Sequence, residues 1–242
     1  MRVAVVSDIH GNYHALDAVL AQVLSEAPDE IWCLGDVVGY GPDPNRCCEA
    51  VERHANLCLA GNHDLAVIGS LTVDDFNGDA AVAVRWTQTV LADSARRFLE
   101  PLVPAAARRG AALFHGSPID PVWDYVLSEE RARASMELVR APLVLVGHSH
   151  VALSLSYDGG ALSGGLAHGG DEIDLRASRW LLNPGSVGQP RGGDPRAAWL
   201  LLDFAAGRAW FRRTEYPIEL TQEEIRSAGL PEALAERLER GQ

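Results

Sequence analysis

The chain has no lysine: all 21 of its basic residues are arginine, against 33 acidic ones. The formal net charge of −12 excludes a general nucleic-acid binder, which needs a basic face. Arginine in place of every lysine fits the codon bias of a GC-rich genome. Cysteine is scarce as well. The four residues Cys33, Cys47, Cys48 and Cys58 show no paired CxxC spacing. A chain of 242 residues buries a full core without disulfides, so these thiols read as buried and reduced. Long hydrophobic runs are missing: nothing approaches the ~18–20 residues of a membrane span. Met1 leads directly into an apolar strand, with no signal-peptide h-region. The expectation is a cytoplasmic protein. Repeats, low-complexity tracts and a clear interdomain linker are also absent. The chain reads as one domain over 1–242, with 220–242 as a helical appendage.

What is present is a recurring pattern. Five short apolar runs, VAVVSDIH, IWCLGDVVG, NLCLAGNHD, AALFHGSP and LVLVGHSH, each stop at a metal-ligand or acid/base residue. Their endings deliver Asp8, His10, Asp36, Asn62, His63, His115, His148 and His150. An apolar, β-rich run closed by Gly or Ser and then by Asp, Asn or His reads as a buried strand opening into a functional loop. In open α/β sheets, ligands bind outside the carboxyl ends of the strands. Such endings therefore converge on one crevice.

The first half alternates strand and helix. Val3–Val6, Ile31–Leu34, Leu57–Leu59, Ala111–Phe114 and Leu143–Val146 read as strands. Leu16, Val19, Leu20, Val23 and Leu24 show helical spacing within His14–Leu24. Further helices are expected over Asn45–Arg53, Asp74–Leu91, Asp93–Leu99 and Glu129–Val139, with Asn77 and Asp93 as N-caps. After His150 the texture changes to a hairpin turning at Asp158-Gly159-Gly160, then strands Trp180–Leu182, Ala198–Phe204 and Ala209–Arg213. Thr221 and Glu224 suggest a capping box in the polar helical tail. The fold expected is α/β, a four-layer α/β/β/α sandwich of two mixed β-sheets with a metal site at the strand C-terminal ends.

Asp8 and His10 are one residue apart, as are His148 and His150, so each pair can point to one side of a strand end. The donor set is mixed oxygen and nitrogen with no thiolate. That suits borderline divalent metals better than a structural zinc knot. His14, His54 and His168 lie outside the pattern and read as structural. Tyr13, Tyr40, Trp123 and Tyr125 follow ligand motifs and are candidates to line an aromatic pocket, although packing accounts for each of them singly. Ser117 reads as a turn residue, and Asn183-Pro184-Gly185-Ser186 as a tight turn with a supporting role. Arg191, in GQPRGG, reads as a surface-loop arginine, with an anion-binding role as the alternative.

Together, Asp8-x-His10, Gly35-Asp36-x-x-Gly39, Gly61-Asn62-His63-Asp64, His115 and Gly147-His148-x-His150 resemble the calcineurin-like metallophosphoesterase superfamily, in the texture of its compact bacterial and archaeal phosphoesterases. The resemblance implies two divalent metal ions, manganese first and Fe, Zn, Mg, Ni or Co as alternatives. Asp8, His10 and His150 would hold one, and Asn62, His115 and His148 the other, with Asp36 bridging. It implies hydrolysis of a small phosphoester or nucleotide-type substrate by a metal-bridging hydroxide. His63 would assist the leaving group, and Asp64 would orient the His63 ring or cap its loop. The superfamily's protein phosphatases carry an arginine before the Asn-His pair and another after the second motif. Here Ala60 and Val37-Val38 stand in those regions, which weakens the grip on a dianionic monoester. A phosphodiesterase is therefore the first expectation. A phosphomonoesterase or dinucleoside-polyphosphate hydrolase is the second, and a non-catalytic scaffold or structural zinc module ranks below both.

Overall fold

The computed structural model describes residues 1–242. Strand β1 (Arg2–Val6) leads through a short loop into helix α1 (Tyr13–Ser25), whose first turn is closed by Asn12 Oδ1 accepting from the Ala15 amide at 3.1 Å. Then follow β2 (Glu30–Cys33), α2 (Pro44–His54), β3 (Leu57–Cys58) and α3 (Asn62–Val67). Pro44 occupies the first turn of α2, where its missing N–H costs nothing. Next come α4 (Gly78–Val90), α5 (Asp93–Leu99), the hairpin β4 (Ala105–Arg108) and β5 (Ala111–Phe114), α6 (Glu129–Leu138) and β6 (Leu143–Leu145). The last third comprises β7 (Leu153–Asp158), β8 (Ala161–Leu166), β9 (Glu172–Asp174), β10 (Arg179–Asn183), β11 (Ala197–Asp203), β12 (Arg208–Thr214), α7 (Ile218–Ser227) and α8 (Glu232–Arg240).

Two six-stranded mixed sheets result, in the orders β3-β2-β1-β11-β12-β9 and β4-β5-β6-β10-β7-β8. Strand alternation sorts the core into layers. In β1, Val3 and Val5 join Leu113, Leu145, Leu182, Leu200 and Phe211 between the sheets, whereas Ala4 and Val6 pack under α1 and α2. On the opposite side, Val144, Val146 and Leu181 meet Ala132 and Met136 of α6. This is the four-layer sandwich expected from the sequence. Its parallel pairs, β1 with β2, β2 with β3, β5 with β6 and β6 with β10, bring the carboxyl ends of both sheets to one edge.

Several boundaries differ from the sequence expectation. The helix expected from Asp74 starts at Gly78, and Val73–Asp75 is a single 3-10 turn. Asn77 holds the N-cap position of α4 but makes no side-chain cap bond, and Ala92, not Asp93, precedes α5. Thr221 lies inside α7, where its hydroxyl donates to Asn12 Oδ1 at 2.9 Å, so the Thr221–Glu224 capping box does not form. Helices α7 and α8 bury Ile225, Leu234, Ala235 and Leu238 against Ala83 of α4, with Tyr40 and Trp86 alongside. No helix is long and apolar enough to cross a membrane.

At the far end of the first sheet, Glu30 accepts from Arg108 Nε at 2.6 Å, Trp32 Nε1 at 2.7 Å and Arg109 at 3.3 Å. Arg108 foremost holds its carboxyl down at about 2, against the opposing effect of burial. A carboxylate depressed in the folded state stabilises above its unfolded pKa near 4.5 and stops doing so as pH falls through about 2. The gap in melting temperature between wild type and Glu30→Gln is accordingly expected to be constant above about pH 5 and to close between about 4.5 and 2. A thermal melt series over that range checks it.

Candidate metal centre

The site is built from loops that carry unusual backbone. Asp8, His10, Asp36, Tyr40, His148 and His150 all have positive φ, between 51° and 62°. A non-glycine residue there costs on the order of 1 kcal/mol, and such strain clusters at functional sites. Neighbouring loops hold the conformation. The Asp8 and His10 amides donate to the Gly35 and Asp36 carbonyls at 3.0 and 2.9 Å, continuing the β1–β2 pairing past the strand ends. The Gly188 amide donates to Asp8 O at 3.0 Å, and the Ser186 hydroxyl donates to the same oxygen at 2.7 Å. The His148 amide donates to the Asp8 carboxylate at 3.1 Å. Asn183 Nδ2 donates to the Gly147 carbonyl at 2.8 Å and to Ser149 Oγ at 3.0 Å, so Asn183 fixes the GHSH loop without facing the donors.

All the residues singled out for metal ligation meet here, and all are buried. Donor-type atoms of Asp8, His10 and His150 lie within 4.8 Å of one another, as do those of Asp36, His115 and His148. Asp8 and His150, 142 positions apart by number, approach to 3.5 Å. Asp36 Oδ2 stands between the groups, 3.6 Å from His10 Nε2 and 3.4 Å from His115 Nε2. Asn62 Oδ1 is 3.2 Å from the same His115 nitrogen.

Hydrogen bonding on the far side of each ring decides which nitrogen is free. His10, His115 and His150 each direct Nδ1 at a carbonyl: Val38 at 3.2 Å, Leu34 at 2.9 Å and Gln189 at 2.7 Å. A carbonyl only accepts, so Nδ1 of each ring carries a proton and Nε2 is the nitrogen turned inward, a bare lone pair wherever the ring is neutral. His10 and His150 then set two Nε2 atoms 2.9 Å apart. Asp36 Oδ2 and His148 Nε2 are buried with no hydrogen-bond partner at all. Lone pairs crowded together without protons repel, and orphaned buried acceptors are costly. Divalent cations remove both penalties, and imidazole with carboxylate and amide oxygen is a donor set that they accept. The residues present fit metal ions.

Proton affinities agree. Burial pushes the His10 and His150 imidazoles well below their usual range, and takes His63 down to about 4 and His148 to about 3. These rings are neutral and able to ligate. For His115, burial acts downward, but the adjacent Asp36 outweighs it and the ring rises to about 9, so a proton and a cation compete for its Nε2. Burial would also raise Asp36; His115, His63 and His10 outweigh it, and the carboxyl is lowered. Burial raises Asp8 to about 7.

His63 stands beside the donor group. Its amide donates to Asp36 Oδ1 at 2.9 Å, and its ring lies 4.8 Å from His10 and 4.4 Å from Tyr40 between centroids. Gly39 packs against this ring, and a Cβ there would collide with His63 Nδ1. Asp64 does not hold the His63 ring. Its two oxygens accept the Val38 amide at 3.1 Å and the Gly61 amide at 2.9 Å, which clamps two site loops together.

Tyr125 stacks on His148, with centroids 3.9 Å apart and planes at 17°, and remains 43% exposed. Trp123 reaches His63 only through Phe76, which the sequence did not flag; Phe76 sits edge-on to both rings at 4.9 and 5.2 Å. Tyr13 is elsewhere, under the Arg46 guanidinium. Ser117 closes its turn by donating to Asp124. His14 pairs with Glu224 at 3.0 Å, and His54 and His168 lie outside the site. Arg191, read as a surface-loop residue, comes instead to the site rim, 5.9 Å from the Tyr40 ring centroid.

Two mixed sheets whose strand ends present a buried cluster of carboxylate, amide and imidazole donors define a metal-dependent hydrolase. Residues 1–207 match the calcineurin-like phosphoesterase superfamily domain, and the chain belongs to that family. It is a phosphoester hydrolase of the kind that works with divalent metals. It is 39% identical to a metallophosphoesterase from Sphaerobacter thermophilus whose crystal structure covers 100% of both chains with a TM-score of 0.91. It is 36% identical over 241 residues, 98% of this chain and 96% of the relative, to the uncharacterized protein MJ0912 of Methanocaldococcus jannaschii. It is also 29% identical over 141 residues to a symmetrical bis(5'-nucleosyl)-tetraphosphatase of Erwinia tasmaniensis, a match spanning 55% of this chain and 50% of that protein.

Proposed function

We propose that this protein is a phosphodiesterase that uses two divalent cations, manganese foremost, with Asp36 as the ligand common to both. The observation that carries the reading is Asp36 Oδ2, buried without a partner midway between His10 Nε2 and His115 Nε2. When bound, the cations supply the positive charge that makes a hydroxide available near neutral pH and braces the phosphoryl oxygens. The remaining work falls to the chain. Asp8, His10 and His150 would hold one ion, while Asn62, His115 and His148 would hold the other. Carbonyl contacts on Nδ1 fix three of those rings in the ligating tautomer. His63, kept neutral by burial, presents a ring N–H to the leaving oxygen. Tyr40 and Phe76 confine that ring, and the Tyr125 face over His148 gives a flat aryl or base group a place to lie. No arginine stands at Ala60, Val37 or Val38, so nothing there selects a dianionic monoester.

Manganese-loaded protein is expected to hydrolyse bis-p-nitrophenyl phosphate faster than p-nitrophenyl phosphate, and chelator-treated protein neither. Absence of turnover on both with metal bound refutes the proposal. His63→Ala is expected to keep both ions by elemental analysis while losing about 10²–10⁴ in kcat, more for an alkyl than for a nitrophenyl leaving group. A loss independent of leaving group would remove His63 from that role. Partial similarity to a bis(5'-nucleosyl)-tetraphosphatase favours a second reading, a dinucleoside polyphosphate as substrate.

A further inference from the structure

Beside the donor cluster, two arginines from distant parts of the chain meet on one amide. Arg191 donates to Gln189 Oε1 at 2.8 Å, and Arg237, from α8, donates to the same oxygen at 3.4 Å. Many other arginines meet carboxylates, as Arg196 meets Asp194 and Arg226 meets Glu232, and Arg179 meets backbone carbonyls singly. These two meet a neutral oxygen, and Arg237 Nε is buried with no partner. Two guanidiniums held together with no carboxylate within 4.0 Å of either, in a chain of net charge −12, repel each other and leave donors free.

Their position ties them to the site. The Gln189 carbonyl caps His150 Nδ1 at 2.7 Å, and the Arg191 amide donates to the His150 carbonyl at 3.2 Å. Arg191 also lies by Tyr40, whose ring is 4.7 Å from that of His10. A narrow cleft lined by His10, Tyr40, Gln189, Leu234 and Leu238 lies between His10 and α8. Arg237 lies beyond the 1–207 segment that matches the family. Helix α8 is held in place by the apolar contacts of Leu234, Ala235 and Leu238.

We infer that Arg191 and Arg237 form a subsite for a second phosphate, adjacent to the scissile phosphate of the proposed reaction, so that the substrate is an ester carrying a phosphate chain. Gln189 orders the two guanidiniums, and their free N–H groups face the anion. A phosphate there replaces their mutual repulsion with charge-assisted hydrogen bonds. The inference rests on the phosphoester reading for the identity of the neighbouring phosphate, but binding tests it without turnover.

Metal-loaded protein, with free Mn²⁺ buffered, is titrated calorimetrically with orthophosphate and with pyrophosphate. Wild type is expected to bind pyrophosphate about 10-fold or more tighter than orthophosphate. Arg191→Gln and Arg237→Gln, which keep an amide donor but lose the charge and the reach of the guanidinium, are each expected to reduce that ratio to about 3 or less. A melting curve for each variant confirms the fold, and the two variants alter separate elements, so each gives its own reading. A wild-type ratio near one, or a ratio unchanged in either variant, overturns the subsite. If the protein binds as expected yet cleaves no phosphoester, the proposed activity falls and the subsite stands.

Discussion

Replacing Asp36 with asparagine is expected to lower phosphodiester turnover by at least about 10³-fold, the equivalent of ~4 kcal/mol in the barrier. Asparagine keeps an oxygen for the His63 amide, which Asp36 Oδ1 accepts at 2.9 Å, so the α3 entry survives. What is lost is the negative charge and the second oxygen, the buried one aimed between His10 and His115. Metal should therefore leave with the chemistry. Saturating Mn²⁺ is expected to raise the melting temperature of wild type, because a ligand bound only by the native state stabilises it, and to raise that of Asp36→Asn far less. Elemental analysis gives the count directly, with two ions per chain expected in wild type and at most one in the variant. A variant that keeps two ions and wild-type turnover would show that Asp36 bridges nothing.

Gly188→Ala is expected to be the most damaging single-methyl change on the chain. A Cβ at this position would run into the carbonyl of Ile9, a backbone atom with no rotamer to escape through, and into the Asn12 side chain. Gly188 also donates to Asp8 O and accepts from Asn12 Nδ2 at 2.9 Å, so the loop cannot retreat without releasing the Asp8–His10 turn. Overpacking a tight core costs typically ~1–3 kcal/mol, and a backbone clash sits at or above the upper end. For a chain of this size that corresponds to a fall of about 6–12 °C in melting temperature. Metal-dependent stabilisation should shrink as well, because the displaced turn carries two donors. Gly69→Ala is the matched control, since a Cβ there meets nothing within 4 Å, although its positive φ of 86° carries a small strain of its own. Equal melting temperatures for the two variants would count against the clash.

Most of the site was legible in the sequence because each donor terminates an apolar run, and the topology sends those runs to one edge. The layered sandwich followed from the same alternation. What escaped was set by partners distant in sequence. Strand β4 is Ala-Ala-Ala-Arg, a composition that favours helix, and it is a strand only because β5 pairs with it through a tight two-residue turn at Arg109 and Gly110, with φ of 56° and 81°. Strand β9 is a three-residue polar edge recruited by β12. Phe76 follows a 3-10 turn with no ligand motif near it, and nothing local marks it as a neighbour of His63. The DIHGN and GHSH motifs marked candidate donors but not the left-handed backbone, since Asp and His are neither required by that conformation nor excluded from it. Of the two roles open to Asp64, orienting the His63 ring or capping its loop, the second is the one found: its carboxylate turns toward two amides. Arg237 sits in a helix whose charged face reads as solvated until α8 is docked.

The donors are divided between the sheets. Asp8, His10, Asp36 and Asn62 hang from the sheet built on β1, β2 and β3, whereas His115, His148 and His150 hang from the one built on β5 and β6. Neither half owns all of the donors, so ions bound at the seam would act as rivets across it. Hydrolytic competence would then require both sheets in place, since the apolar core between them sets the donors opposite one another.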